Sequence, residues 1–118
     1  MKKILFAIVC LMIFSCKEDE SLGIFKPCDF ESSETRNVKN IQGTLHYAKT
    51  INGFPLEEYT YYIAGPDVGL PVVVCNMPET IKLEEDEERA VVFSGRVVMI
   101  PPNVDAFFTQ IELHDLRF

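Results

Sequence analysis

The chain has 118 residues, four cysteines and a formal net charge of −7, and this length leaves room for one compact domain with a modest core. The negative charge repels phosphate backbones and anionic lipid headgroups, so the composition argues against nucleic acid as a partner. Because the cysteines form no C-x-x-C pair and no dense cluster with histidine, neither a thioredoxin-like motif nor a zinc module is predicted, and no cofactor is indicated.

The first fifteen residues have the features of an export signal. Two lysines are followed by an uninterrupted apolar run, Ile4–Phe14, which is typical of the hydrophobic part of a secretory signal peptide. The run is too short to span a bilayer, which takes roughly 20 apolar residues. We therefore expect residues 1–15 to be removed, which lowers the net charge by two; an uncleaved anchor or a buried helix is the alternative.

The signal ends in Ile13-Phe14-Ser15-Cys16, which resembles a bacterial lipobox. In that motif an aliphatic residue and a small residue occupy the third and first positions before a lipidated cysteine. The resemblance implies that Cys16 carries several acyl chains, which anchor a protein far more stably than a single chain does. An ordinary secretory signal cut nearby, with Cys16 free, is the alternative.

The charged residues 17–20 that follow resemble the surface-export signal of lipoproteins from Bacteroidota. This resemblance implies lipid anchoring in the outer membrane, with the domain facing the cell exterior; the periplasmic face is the alternative. Such a charged stretch could also be a solvated spacer. We predict that residues 16–37 comprise the lipidated cysteine and an acidic flexible linker, and that residues 38–118 form the folded domain.

Two cysteines remain after removal of the signal and acylation of Cys16. An oxidising compartment favours a disulfide between Cys28 and Cys75, and closing a loop of that length stabilises a fold by about 4 kcal/mol by a chain-entropy estimate. Two buried thiols are the alternative. The linker is also predicted to dock on the domain around Cys28, because hydrophobic residues lie there: Ile24, Phe25 and Phe30.

From residue 38 onward, alternating and β-branched runs predict five β-strands and at most one helical turn, at residues 78–83. The first strand passes through Ile41–Tyr47, and the others are predicted at residues 58–64, 70–75, 90–100 and 106–118. Gly95 lies inside the fourth strand, where a glycine is typical of a bulge or a bend in a coiled sheet.

This all-β pattern resembles a small five-stranded, OB-like, partly open barrel. The resemblance covers Val38–Phe118, and the missing helix between the third and fourth strands departs from it. An immunoglobulin-like β-sandwich is the alternative, although that fold has about seven strands. In an OB-type order the first and last strands are not neighbours, which would separate His46 from His114.

The residues capable of chemistry fall short of a known pattern. Ser94 lacks the preceding glycine of a nucleophile elbow, and Glu112-Leu113-His114 supplies at most two ligands for a metal. The acidic run 84–88 lacks the turning glycine of a calcium loop, so we expect a solvated loop there. We predict no catalytic site, no metal site and no enzymatic activity.

Tyr59, Tyr61 and Tyr62 are the most suggestive binding residues, because aromatic rings with hydroxyl groups suit peptide and sugar surfaces. A tyrosine-lined barrel core is the alternative. The sequence therefore predicts an envelope domain that acts by binding or as a structural accessory. Ligand capture for an outer-membrane glycan or peptide uptake system is the first alternative, and a hydrolase is the second.

Overall fold

The computed structural model describes residues 25–30 and 33–118, so the predicted signal and Cys16 lie outside the described residues. The described residues contain no helix and form five strands: β1 (Thr35–Ile51), β2 (Phe54–Ala64), β3 (Val72–Val74), β4 (Glu88–Val98) and β5 (Thr109–Arg117). The all-β prediction is confirmed. No helix within this part of the chain is long and apolar enough to cross a membrane.

The strands hydrogen-bond in the ring order β1-β2-β3-β5-β4, and β4 pairs with β1 to close the ring. Neighbouring strands are antiparallel except β3 and β5, which are parallel. This order fits the OB-like prediction. The immunoglobulin-like alternative is wrong, because one sheet closes on itself instead of two sheets packing face to face.

Several element boundaries differ from the prediction. β1 begins at Thr35, before residue 38, because residues 35–38 pair with residues 95–98 of β4. β2 begins at Phe54, because its first residues pair with the end of β1 in the hairpin. Asn52 and Gly53 form the hairpin turn with positive φ angles of 51° and 82°, as a two-residue type I′ loop requires. The predicted helical turn at residues 78–83 is a turn in which Ile81 N donates to Pro78 O at 3.1 Å.

The core lies inside the ring and follows the period of two that a strand imposes on its side chains. In β4 the buried residues are Val91, Phe93 and Val97, with Gly95 at the remaining inward position. β5 breaks its own alternation, because Leu113 and Leu116 are both buried. That break means that β5 contains one extra residue between them.

Gly95 marks the place where the ring bends. Ser94 pairs with Asp115, but Gly95 pairs with Leu113, so His114 is the extra residue on β5. A Cβ atom on Gly95 would collide with the carbonyl oxygen of Glu112, so only glycine allows this close approach of the two backbones. The predicted irregularity is confirmed, with its extra residue on the neighbouring strand.

β1 bulges on the other side of the same glycine. Its register with β4 shifts between Val38 and Ile41, and Asn40 has a positive φ of 52°. The backbone N–H of Asn40 donates to the Ser94 hydroxyl oxygen at 2.9 Å. The Ser94 side chain therefore stabilises the bulge of β1.

The end of the linker is fastened to the ring. Cys28 and Cys75 are joined by a disulfide with a Cα separation of 6.2 Å, which lies in the usual range for this bond. The Asn76 side-chain amide donates to Lys26 O at 2.7 Å. It also donates to Leu113 O, and its oxygen accepts the Leu113 N–H. The predicted docking of the linker around Cys28 is therefore seen in residues 25–30.

Candidate binding surface

A row of tyrosine rings lies on the β1–β2 hairpin. Tyr47 pairs with Tyr61 across the two strands, and their rings stack with centroids 4.4 Å apart. Tyr59 lies on the same face as Tyr61 because strand side chains alternate, and its ring centroid is 5.2 Å from that of Tyr47. We call these three half-buried side chains the tyrosine row.

The segment between β3 and β4 packs against one end of the tyrosine row. The Tyr61 hydroxyl accepts the Leu83 N–H at 2.9 Å and donates to Ile81 O at 3.4 Å. A groove of about 600 Å³ runs between this segment and the hairpin, and its lining includes Tyr47, Tyr61, Met77, Pro78, Ile81 and Leu83. The groove therefore joins aromatic rings to an aliphatic floor, and Glu79 and Lys82 add charged groups to its lining.

Charged groups border the other end of the tyrosine row. The Lys49 ammonium lies 5.4 Å from the centre of the Tyr59 ring. Burial, followed by the carboxylates of Asp86 and Glu85, raises the pKa of the Tyr59 hydroxyl. The acidic run reaches this position because Asp86 N donates to Tyr47 O at 2.7 Å. The row therefore combines flat aromatic surface with a cation and carboxylates.

Tyr62 occupies the opposite face of β2. It is only 8% exposed, and its ring stacks on His46 at 4.6 Å with an interplanar angle of 7°. Burial and the carboxylate of Glu88 raise the pKa of the Tyr62 hydroxyl. The structure thus brings Tyr59 and Tyr61 together and separates Tyr62 from them, as strand alternation implies.

The sequence did not predict that Tyr47 and the acidic run 84–88 belong to this surface. Tyr47 was predicted only as an apolar residue of the first strand, and the acidic run only as a solvated loop. Only the register of β1 with β2 places Tyr47 opposite Tyr61. The hydrogen bonds between residues 86–87 and Tyr47 then bring the acidic run alongside. The three tyrosines at residues 59–62 were the feature of the sequence that indicated a binding surface.

A second polar cluster surrounds the buried Glu112. Its carboxylate accepts the Cys28 N–H at 2.6 Å, and it pairs with Arg96 at 3.2 Å and His114 at 2.8 Å. Burial alone would raise the pKa of Glu112, but these partners together hold it below its ordinary value. The cluster links the linker to β4 and β5, and each member has a structural partner.

The remaining candidates for chemistry are accounted for by the fold. The Cys75 sulfur is bonded to Cys28, and the Ser94 hydroxyl accepts the N–H of Asn40. His46 lies on β1 and His114 on β5, two strands that do not pair. Across residues 25–30 and 33–118, no group of three or more His, Cys, Asp and Glu side chains could hold a metal ion.

Comparison with protein-family models, with curated proteins and with solved structures found no match. The function is therefore inferred from the geometry of the tyrosine row and from the motif that ends at Cys16.

Proposed function

We propose that this chain is a lipoprotein of the outer membrane that acyl chains on Cys16 anchor at the cell exterior. Its β domain acts by binding a ligand, without chemistry of its own. The lipobox-like sequence before Cys16 and the charged residues 17–20 support the anchor. The tyrosine row is the observation that carries the binding part of the proposal.

The chemistry of the row suits a segment of a polar polymer, either a glycan or a peptide. Ligand sites combine mostly apolar and aromatic linings with a few polar groups that fix orientation. Here Tyr47 and Tyr59 offer ring faces, while Lys49 and Asp86 supply a donor and an acceptor beside them. The open groove gives such a segment a path along the hairpin.

Tyr47 and Tyr61 also pack against the core, as the alternative of a tyrosine-lined core implies. The preference for ligand capture over a purely structural accessory role therefore rests on Tyr59, which is half-buried and is not among the residues packed against the core. Two further observations favour binding over hydrolysis. The Ser94 hydroxyl, which was considered as a nucleophile, accepts a hydrogen bond within a bulge, and the Cys75 sulfur is held in a disulfide. An envelope protein that docks on the same row through a peptide segment belongs to the same proposal.

Replacing Cys16 with Ala tests the anchor. We expect the Cys16→Ala chain to move from the membrane fraction to the soluble fraction, because the acyl chains supply the membrane affinity. The matched control is Cys10→Ala, which changes a cysteine within the signal and should leave the chain with the membranes. A Cys16→Ala chain that still sediments with membranes would contradict the anchor.

Replacing Tyr59 with Ala tests the binding surface. The wild-type domain would be screened against neutral oligosaccharides and against a peptide library, and the best probe of each class would be titrated. We expect Tyr59→Ala to weaken binding about tenfold or more, as loss of an aromatic anchor does. Phe118→Ala is the control, since Phe118 is also exposed but lies outside the row. Unchanged affinity in Tyr59→Ala would exclude the row.

A further inference from the structure

Two loops that are distant in sequence present one exposed aromatic surface. Phe54 at the β1–β2 hairpin stacks on Phe107 from the loop between β4 and β5, with ring centroids 4.9 Å apart. Phe108 joins them at 5.9 Å. Phe54 is 37% exposed and Phe107 is 59% exposed, so the contact leaves much of both rings facing outward.

Val104 lies three residues before Phe107 in the same loop and is 50% exposed. We call these residues the apolar loop surface: Phe54, Val104, Phe107 and Phe108. Clustered exposed hydrophobic residues indicate an interaction surface.

The length of chain before the domain determines what this surface can reach. Eight residues separate Cys16 from Phe25, and the nine Cα-to-Cα steps between these two residues span only about 30 Å even when fully extended. Given the proposed lipid anchor, on which this step rests, the domain cannot leave the immediate neighbourhood of the bilayer. A lipid surface is therefore the partner that is always within reach.

The distribution of charge also fits a lipid surface. Asp105 is the single charged residue in the loop 99–108, and the hairpin tip 51–55 has none, although charged residues make up 25% of the chain. Aromatic loops with few charged residues enter the bilayer interface at a low cost in buried ions. The net negative charge of the chain gives no attraction to anionic headgroups, so the contact would be apolar in origin.

We propose that the apolar loop surface inserts into the interfacial region of the membrane that holds the lipid anchor. Interfacial segments of this kind bury their apolar side chains at the boundary between headgroups and acyl chains. The insertion gives the anchored domain a fixed orientation on the bilayer. Because the attraction is apolar, it is insensitive to salt and to the fraction of anionic lipid.

Tryptophan fluorescence tests this insertion, since the chain contains no tryptophan. Phe107→Trp places a single reporter in the surface, and Phe118→Trp is the matched control because Phe118 is 53% exposed at another part of the domain. Each full-length lipidated chain would be reconstituted in phosphatidylcholine vesicles with and without brominated acyl chains. We expect blue-shifted emission and strong bromine quenching only for Phe107→Trp, unchanged by salt.

Equal quenching of the two variants, or quenching of neither, would overturn the insertion. A blue shift without bromine quenching would assign the surface to a second copy or a protein partner and would also overturn it. Val104→Trp provides a second reporter, and urea midpoints equal to wild type show that each variant is folded. A chain recovered without lipid would refute the anchor as well, whereas an unquenched reporter on a membrane-bound chain refutes only the insertion.

Discussion

One buried carboxylate, Glu112, joins three parts of the chain. It accepts a hydrogen bond from the backbone of Cys28 in the linker, pairs with Arg96 on β4 and bonds His114 on its own strand. Replacing such a group leaves buried polar partners without their bonds, which costs more than the net value of each bond. Glu112 is therefore the residue at which a small change should have the largest electrostatic effect.

The lowered pKa of Glu112 predicts an acid-sensitive stability. A carboxylate with a lower pKa in the folded state stabilises the fold above its unfolded pKa, about 4.3 for glutamate, and this stabilisation is lost as the pH falls through the folded value. We expect the free energy of unfolding to decrease below about pH 5, and Glu112→Gln to be less stable at neutral pH with a weaker acid dependence. Urea titrations across pH measure both.

The control for this change is Glu57→Gln, because Glu57 is exposed on β2. It should retain the wild-type stability and the wild-type loss in acid. A Glu112→Gln curve that runs parallel to wild type from neutral to acid pH would show that Glu112 does not contribute to the acid sensitivity.

Between elements, the main contact around the binding surface is the one that holds the β3–β4 segment on the hairpin. The Tyr61 hydroxyl bonds the backbone of Leu83 and Ile81, both of whose side chains are buried. These hydrogen bonds therefore hold the aliphatic floor of the groove against the tyrosine row. The shape of the groove depends on this hydroxyl, whereas its aromatic surface depends on the rings.

Tyr61→Phe isolates the contribution of that hydroxyl. We expect a loss of about 1–2 kcal/mol in the free energy of unfolding, because the Leu83 N–H loses its partner while the ring packing stays. Tyr59→Phe is the matched control, and its stability should change by less than about 0.5 kcal/mol. Equal urea midpoints for the two variants would mean that the hydroxyl of Tyr61 does not hold the segment.

Over the whole molecule, the disulfide unites the linker with the closed ring. Its two cysteines are 47 residues apart, and the enclosed stretch contains all of β1, β2 and β3. A crosslink around so much of the chain reduces the entropy of the unfolded state more than a short one does. It also fixes the point at which the linker leaves the domain.

The double variant Cys28→Ala, Cys75→Ala should therefore unfold with about 2–4 kcal/mol less free energy than wild type. Reduction of the wild-type protein should give the same loss, and the reductant should not change the double variant, which serves as its own control. Urea denaturation measures the loss, and limited proteolysis should cut the released linker sooner. If the reductant left the free energy of unfolding of the wild-type protein unchanged, the disulfide would not have this role.

Much of the architecture was predictable from local pattern. Alternation and β-branched runs identified all five strands, and Gly95 indicated the bend. The starts of β1 and β2 were wrong, because residues 35–37 are polar and Pro55 is a typical turn residue, whereas pairing with the neighbouring strands extends both strands over these positions. The break in β5 at His114 was also missed. The three-residue spacing of Leu113 and Leu116 departs from alternation, but the position of the bulge depends on the pairing with the neighbouring strand.

The strand content and the inward face of most strands follow from local pattern, because they are properties of neighbouring residues, and the export motif stays a prediction of the same local kind. Which side chains meet depends on the tertiary structure. The register of β1 with β2 places Tyr47 opposite Tyr61. The path of the chain before β4 brings the acidic run close to Tyr59. The loop between β4 and β5 places Phe107 on the ring of Phe54. Such contacts depend on pairings between distant segments, whose register is set by bulges and turns acting together.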